Sequence, residues 1–216
     1  MSRKVREIKK NFTVFCEGDT EHHYIEEMKR QKRFTIALKT VNMEGGGYSN
    51  FLKKLKTDGN TNSLAKFIII DGDRAISEEG EKKKLRELLE YCILQNNRGR
   101  IPHLLIVNFP DFEYISCLHN PDYRGQNVAQ FIMKEMGYKD IDAFKADTKI
   151  YSVLHKGRSS SDVMLASLNR ENCFVVNEFK VNKTKFEIMV KTVYKWEKLG
   201  QRGSNINEFF EILNCF

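Results

Sequence analysis

Two four-residue apolar runs, Phe67-Ile68-Ile69-Ile70 and Leu104-Leu105-Ile106-Val107, constrain this chain more than any other feature. A strand that is apolar at nearly every position must be covered on both faces, as a central strand of a parallel sheet is. Strand-like and helix-like periodicities alternate around these runs. Residues 12–17 read as a strand, and 19–31 as a helix with Asp19 or Thr20 at its cap. Residues 34–42 read as a second strand. Gly45-Gly46-Gly47 makes a loop, and Ser49 caps a short helix carrying Phe51, Leu52 and Leu55. Strand 66–71, helix 79–95 and strand 103–109 complete a β-α-β-α-β-α-β order. The expected fold class is α/β, with a mostly parallel sheet and helices on both sides.

After Pro110 the pattern changes. Residues 112–119, 127–137, 147–156 and 160–170 read as helical, 174–180 as a last strand and 205–214 as a final helix. The lysine-rich stretch 180–198 reads as neither strand nor helix. One domain over 1–216 is expected, with a core at about 11–110 and a helical C-terminal extension at about 111–216. That length supports a core without disulfides or metals. With 41% hydrophobic and 30% charged residues, disorder along the whole chain is excluded.

No apolar run approaches the ~20 residues that span a bilayer, so no membrane partner is expected. Residues 1–10 are basic but lack a following apolar segment, which argues against a signal peptide. The five cysteines include no CxxC pair and read as reduced core thiols, the usage of a cytoplasmic protein. A formal charge of +7 points weakly to a polyanionic partner and fits simple solubility as well.

The acidic residues that end the strands carry the chemistry. Glu17 closes the first strand, Gly18 permits a turn, and Glu21 falls in the first turn of the helix. Asp71 and Asp73 close the third strand around Gly72. In open α/β sheets ligands bind outside the carboxyl ends of the strands, so both clusters belong to one rim. In an extended segment Asp71 and Asp73 point to the same side, about 6–7 Å apart. If strands one and three are neighbours, Glu17, Asp71 and Asp73 converge. Packed carboxylates need a cation, a shared proton or strong donors, and an all-oxygen set suits Mg2+ or Mn2+. For Asp19 and Asp73 a helix-cap role explains the same residues.

The order strand-Glu-Gly, helix, strand-Asp-x-Asp resembles the Toprim domain. The segment Cys16-Glu17-Gly18-Asp19-Thr20-Glu21-His22-His23-Tyr24 is similar to the Cys-Glu-Gly-x-x-Thr-Glu-x-x-Tyr start of RloB-like Toprim proteins, with one residue fewer before Thr-Glu. Asn108-Phe109-Pro110-Asp111-Phe112-Glu113, followed by Leu118-His119, resembles their Asn-Pro-x-Phe-Glu and Leu-His segment, with Phe109 inserted. Phe144-Lys145 before Lys149-Ile150-Tyr151 resembles their aromatic-Lys and Ile-Tyr segment. The resemblance spans residues 12 to 151. It implies a Toprim-like, Mg2+- or Mn2+-dependent nuclease of bacterial anti-phage or restriction systems, cutting RNA (transfer RNA included) or DNA. By position it assigns Glu17, Asp71 and Asp73 to metal, with Glu21, Glu113, His119 and Lys145 as further catalytic candidates. A separate ATPase partner, since the chain has no P-loop, and a homodimer are implied by analogy.

The residues by themselves leave alternatives open. His119 shares a helical face with Phe112 and Ile115, as a structural histidine does. Glu113 suits a metal ligand, a helix-start acid or an orienter of His119. Lys145 is one lysine among many; the resemblance makes it a phosphate contact or transition-state stabiliser. His22 and His23 point about 100° apart on a helix and are poorly placed to share an ion. The triple glycine lacks the ending of a P-loop and reads as a plain loop. Lys156, Arg158 and Ser159-Ser160-Ser161 suit a nucleic-acid path, or Ser160 a helix cap. Two rival functions stand beside the nuclease: a non-catalytic binding subunit of a defence complex, and a phosphohydrolase acting on nucleotides.

Overall fold

Alternate residues of the central strands project into opposite layers, and both layers are filled. The computed structural model describes residues 10–216, so the reading of the basic N-terminal segment lies outside the described residues apart from Lys10. The elements run β1 (Asn11–Cys16), α1 (Asp19–Gln31), β2 (Ala37–Asn42), α2 (Gly47–Thr57), β3 (Ser63–Asp71), α3 (Arg74–Ser77), α4 (Glu79–Asn97) and β4 (His103–Phe109). They continue with α5 (Phe112–Cys117), α6 (Val128–Glu135), α7 (Ile141–Lys145), α8 (Ile150–Val153), α9 (Ser161–Ser167), β5 (Val175–Asn182), β6 (Glu187–Tyr194), β7 (Gly203–Ser204) and α10 (Ile206–Leu213).

The main sheet has the order β2-β1-β3-β4-β7. Its first four strands are parallel, and β7 closes the edge antiparallel to β4. On one face Val14, Cys16, Phe67, Ile69, Leu104 and Ile106 pack under Tyr24 and Met28 of α1, Ile115 of α5 and Phe209 of α10. On the other, Phe15, Ile68, Ile70, Leu105 and Val107 pack under Phe51 of α2 and Leu85 and Leu88 of α4. Ile68, Ile69 and Ile70 are fully buried, each worth about 1.5–3 kcal/mol of apolar transfer. The α/β core with helices on both sides is therefore what the apolar strands demanded. No helix among the described residues is long and apolar enough to cross a membrane. The cysteines are free thiols, four of them buried.

Local punctuation differs from expectation at two helix starts. Gly18, not Asp19 or Thr20, caps α1, and its N–H donates to Oε2 of Glu21 at 3.3 Å. The glycine run starts α2 itself at Gly47, so Ser49 lies inside the first turn and caps nothing. The C-terminal part carries short helices: α8 and α9 occupy only the middle of the spans 147–156 and 160–170. Ser160 does cap α9, accepting from the Val163 N–H at 3.2 Å. The lysine-rich stretch 180–198 takes in the end of β5, the hairpin turn and β6, its second strand. In β6 Ile188 and Val190 face the core and alternate with exposed Glu187, Met189 and Lys191.

This hairpin and α10 cover the edge of β4 with side chains. The amide of Asn205 accepts from the Val107 N–H at 2.9 Å and donates to the Leu105 carbonyl at 2.9 Å. Asn177 donates to the same carbonyl at 3.0 Å. The buried carboxylate of Glu208 ties the two together, accepting from Asn177 and Asn205. Backbone groups that a longer β7 would pair are thus satisfied by amides, as buried polar groups require.

Candidate active site

The parallel strands β1, β3 and β4 all end on one rim, and the acids gather there. Glu17 directly follows β1. Its side chain is buried, and Oε2 accepts from the Asp71 N–H at 2.8 Å, which locks the ends of β1 and β3 together. Burial pushes its pKa up, opposed by that N–H and by the Arg74 charge. Its carbonyl accepts from the Gly45 N–H at 2.7 Å, so the triple-glycine loop serves as a backbone brace for Glu17. Gly47 has φ +63°, a conformation that favours glycine.

Glu21 is buried in the first turn of α1. Burial, then repulsion from Glu113 and Glu17, raises its pKa to about 8. Asp71 ends β3. Burial, then Glu21, Glu17, Glu113 and Asp111, hold its carboxyl well above the usual carboxylate range. Its Oδ1 is buried and has no hydrogen-bond partner. Glu113, in the first turn of α5, is buried and accepts from Thr20 Oγ1 at 3.0 Å. Lys145, the last residue of α7, brings Nζ to 3.5 Å from Glu113 Oε1. Burial works against its charge, but Glu113, Asp71 and Asp111 outweigh that and hold its pKa up. Glu17, Glu21, Asp71, Glu113 and Lys145 therefore lie in one electrostatically connected cluster.

Asp73 stands differently. The strand stops at Asp71, and Asp73 has helical torsions with its side chain exposed. Its Oδ1 caps α3, accepting from the Arg74 N–H at 2.7 Å. The expected parallel projection of Asp71 and Asp73 is thus replaced by a turn, because the extended geometry it assumed ends two residues early. Gly72 has a packing reason: a Cβ there would stand 2.6 Å from Cδ2 of Phe109.

His119 lies apart from the acids. It is buried in an aromatic nest, with Nε2 3.0 Å from the Tyr24 hydroxyl and Nδ1 3.2 Å from the Ile115 carbonyl. Burial, then neighbouring His155, lowers its pKa to about 3. His22 and His23 diverge, their ring centroids 6.0 Å apart. Arg158 pairs with Asp122 at 2.6 Å.

Two residues of this rim, Asp111 and Tyr48, were given no role from the sequence, and Thr20 was read only as a helix cap. Asp111 caps α5 through the Tyr114 N–H at 2.8 Å, and burial, more than the neighbouring acids, raises its pKa. The Tyr48 hydroxyl donates to the Asp71 carbonyl at 2.8 Å, and Thr20 holds Glu113. Asp111 left a trace, an acid directly after a strand end and a proline, whereas Tyr48 left none.

The donors are all oxygens, and one buried carboxylate oxygen is orphaned, which fits a hard divalent cation chemically. The arrangement is open: among the described residues no three His, Cys, Asp or Glu side chains stand as a formed ligand set. No family model, no curated protein and no solved structure matches this chain.

Proposed function

We propose that the rim is the active centre of a divalent-metal-dependent nuclease that hydrolyses phosphodiester bonds in RNA or DNA. One observation carries the reading: Asp71, with an orphaned oxygen, is crowded among Glu17, Glu21 and Glu113. Unpaired buried acids cost stability, and such a cluster is kept where it has work to do. Glu17, Asp71 and Asp73 would hold Mg2+ or Mn2+, with Asp73 leaving its cap on α3 to do so. When bound, the ion would lower the pKa of an attacking water and offset charge on the phosphate oxygens. Lys145, held by Glu113, stabilises negative charge developing on the phosphate. Glu21 retains a proton near neutral pH and limits repulsion in the empty cluster.

The resemblance to RloB-like Toprim proteins supports the same reading and adds an anti-phage setting, with transfer RNA among the substrates and a separately encoded ATPase as partner. The open ligand arrangement favours a second reading, a non-catalytic subunit of a defence complex. Calorimetric titration of Mn2+ into wild type and Asp71→Asn separates the two. The nuclease reading expects binding that the variant loses, and cleavage of RNA or DNA that Asp71→Asn abolishes while nucleic-acid binding survives. A variant that cuts at the wild-type rate would sink it.

A further inference from the structure

The acidic rim is framed on three sides by cations. Arg74 opens α3 on the face covered by α2 and α4, and its side chain is exposed. Its guanidinium lies against Gly47, where a Cβ would meet Nη1 at 3.2 Å and Glu81 Oε2 at 3.9 Å. Lys145 reaches Glu113 from the opposite face, where Phe144 of α7 joins the core. Arg202 stands at the sheet edge. It directly precedes Gly203 and Ser204, which pair with Phe109 and Asn108 at the carboxyl end of β4. Its Cζ lies 5.6 Å from the ring centroid of Tyr114, the residue after Glu113, and it too is exposed.

The fourth side has the opposite sign. Beyond β2 the rim presents exposed Asp19 and Glu44, with Asn42 bonded to Asp19 at 2.7 Å. A cluster of carboxylates repels phosphate, so a polyanion reaches it only where cations bracket the path. Arg74, Lys145 and Arg202 leave such a path across β3 and β4 and past the β7 edge, closed on the β2 side.

We propose that these three cations form a phosphate track around the carboxylates, so that a nucleic-acid strand crosses β3 and β4, leaves past the β7 edge and is held through several phosphates at once. The proposal rests on reading the carboxylates as the hydrolytic centre, and it deepens that reading to the residues and path that hold the strand.

The test is fluorescence anisotropy with a labelled 12-nucleotide single-stranded RNA and its DNA counterpart, in the Asp71→Asn background without added metal. Affinity is followed against salt. Each phosphate contact on a single strand contributes about 0.7 to the slope of log affinity against log salt. Adding Arg74→Ala or Arg202→Ala should flatten the slope by about that amount on the strand that binds more tightly. Arg98→Ala, at the exposed C-terminal end of α4 where β4 is about to begin, opposite the rim, should leave it unchanged. Adenosine monophosphate, filling one contact, should compete only at concentrations more than about tenfold higher than the unlabelled strand. Circular dichroism checks that the variants fold. Unchanged slopes in both arginine variants, no binding of either strand, or a mononucleotide that competes as well as the strand would overturn the track. Intact Mn2+ binding in protein with wild-type Asp71, combined with unchanged slopes, overturns the track alone. Flattened slopes without Mn2+ binding overturn the hydrolytic centre and leave the track standing.

Discussion

Replacing Glu21 by Gln should make the metal-free protein more stable, although it removes a buried, hydrogen-bonded side chain. The Gln carbonyl keeps the acceptor that the Gly18 N–H uses. What it removes is a titration. Glu21 ionises near 4.5 in the unfolded chain and at about 8 in the folded one. Its folded pKa is raised, so its contribution to stability is complete below pH 4.5 and is lost as pH climbs toward 8. The loss runs at about 1.4 kcal/mol per pH unit, which reaches about 3 kcal/mol at pH 7. Urea unfolding of wild type and Glu21→Gln in EDTA, at pH 4.5 and pH 7, measures it. The expected result is a variant more stable by about 3 kcal/mol at pH 7 and nearly equal to wild type at pH 4.5. Equal stability at pH 7 would refute the crowded cluster. A gain of the same size at both pH values would mean that packing, not charge, was changed.

The same substitution should have the opposite sign at Glu208 when measured at pH 4.5, where the raised pKa of that carboxyl, about 7, contributes little. There both carboxylate oxygens accept from Asn177 and Asn205, and a Gln amide would turn a donor toward those donors. Glu208→Gln should cost about 1–3 kcal/mol in urea unfolding, and a neutral result would contradict the edge-covering role. Gly72→Ala should cost about 1–3 kcal/mol by pressing Cβ on Phe109, read as a lower Tm. Asp58→Ala should cost about 3 kcal/mol or more, because it strands Lys66, which is buried and 2.8 Å from that carboxylate. Full retention of stability would show that Lys66 finds another partner or sheds its charge.

What was legible in the sequence follows from periods. Apolar runs such as Phe67–Ile70 have no use except between two layers, so the parallel core, its helices and the strand-end positions of Glu17 and Asp71 could be read directly. Helix α1 was bounded correctly because its amphipathic spacing is long and regular, whereas its cap was missed because Gly18 contributes only a backbone N–H, completed by Glu21. Hairpin β5–β6 was half legible: β5 is bracketed by its apolar residues, and β6 is hidden because lysines stand on both sides of it and at Lys191 within it.

The site depended on tertiary structure to a greater degree. Sequence order places acids at strand ends, but Glu113 and Lys145 join Glu21 and Asp71 only because α5 and α7 dock on the same face as α1. Asp73 turns outward because β3 stops one residue before Gly72, and His119 is drawn into the aromatic nest of Tyr24 and His155. A pattern along the chain specifies which side chains need burial or a rim. Which of them meet is decided by the long-range packing that brings separate elements together, and neither the orphaned Asp71 oxygen nor the raised pKa of Glu21 exists until that packing is complete.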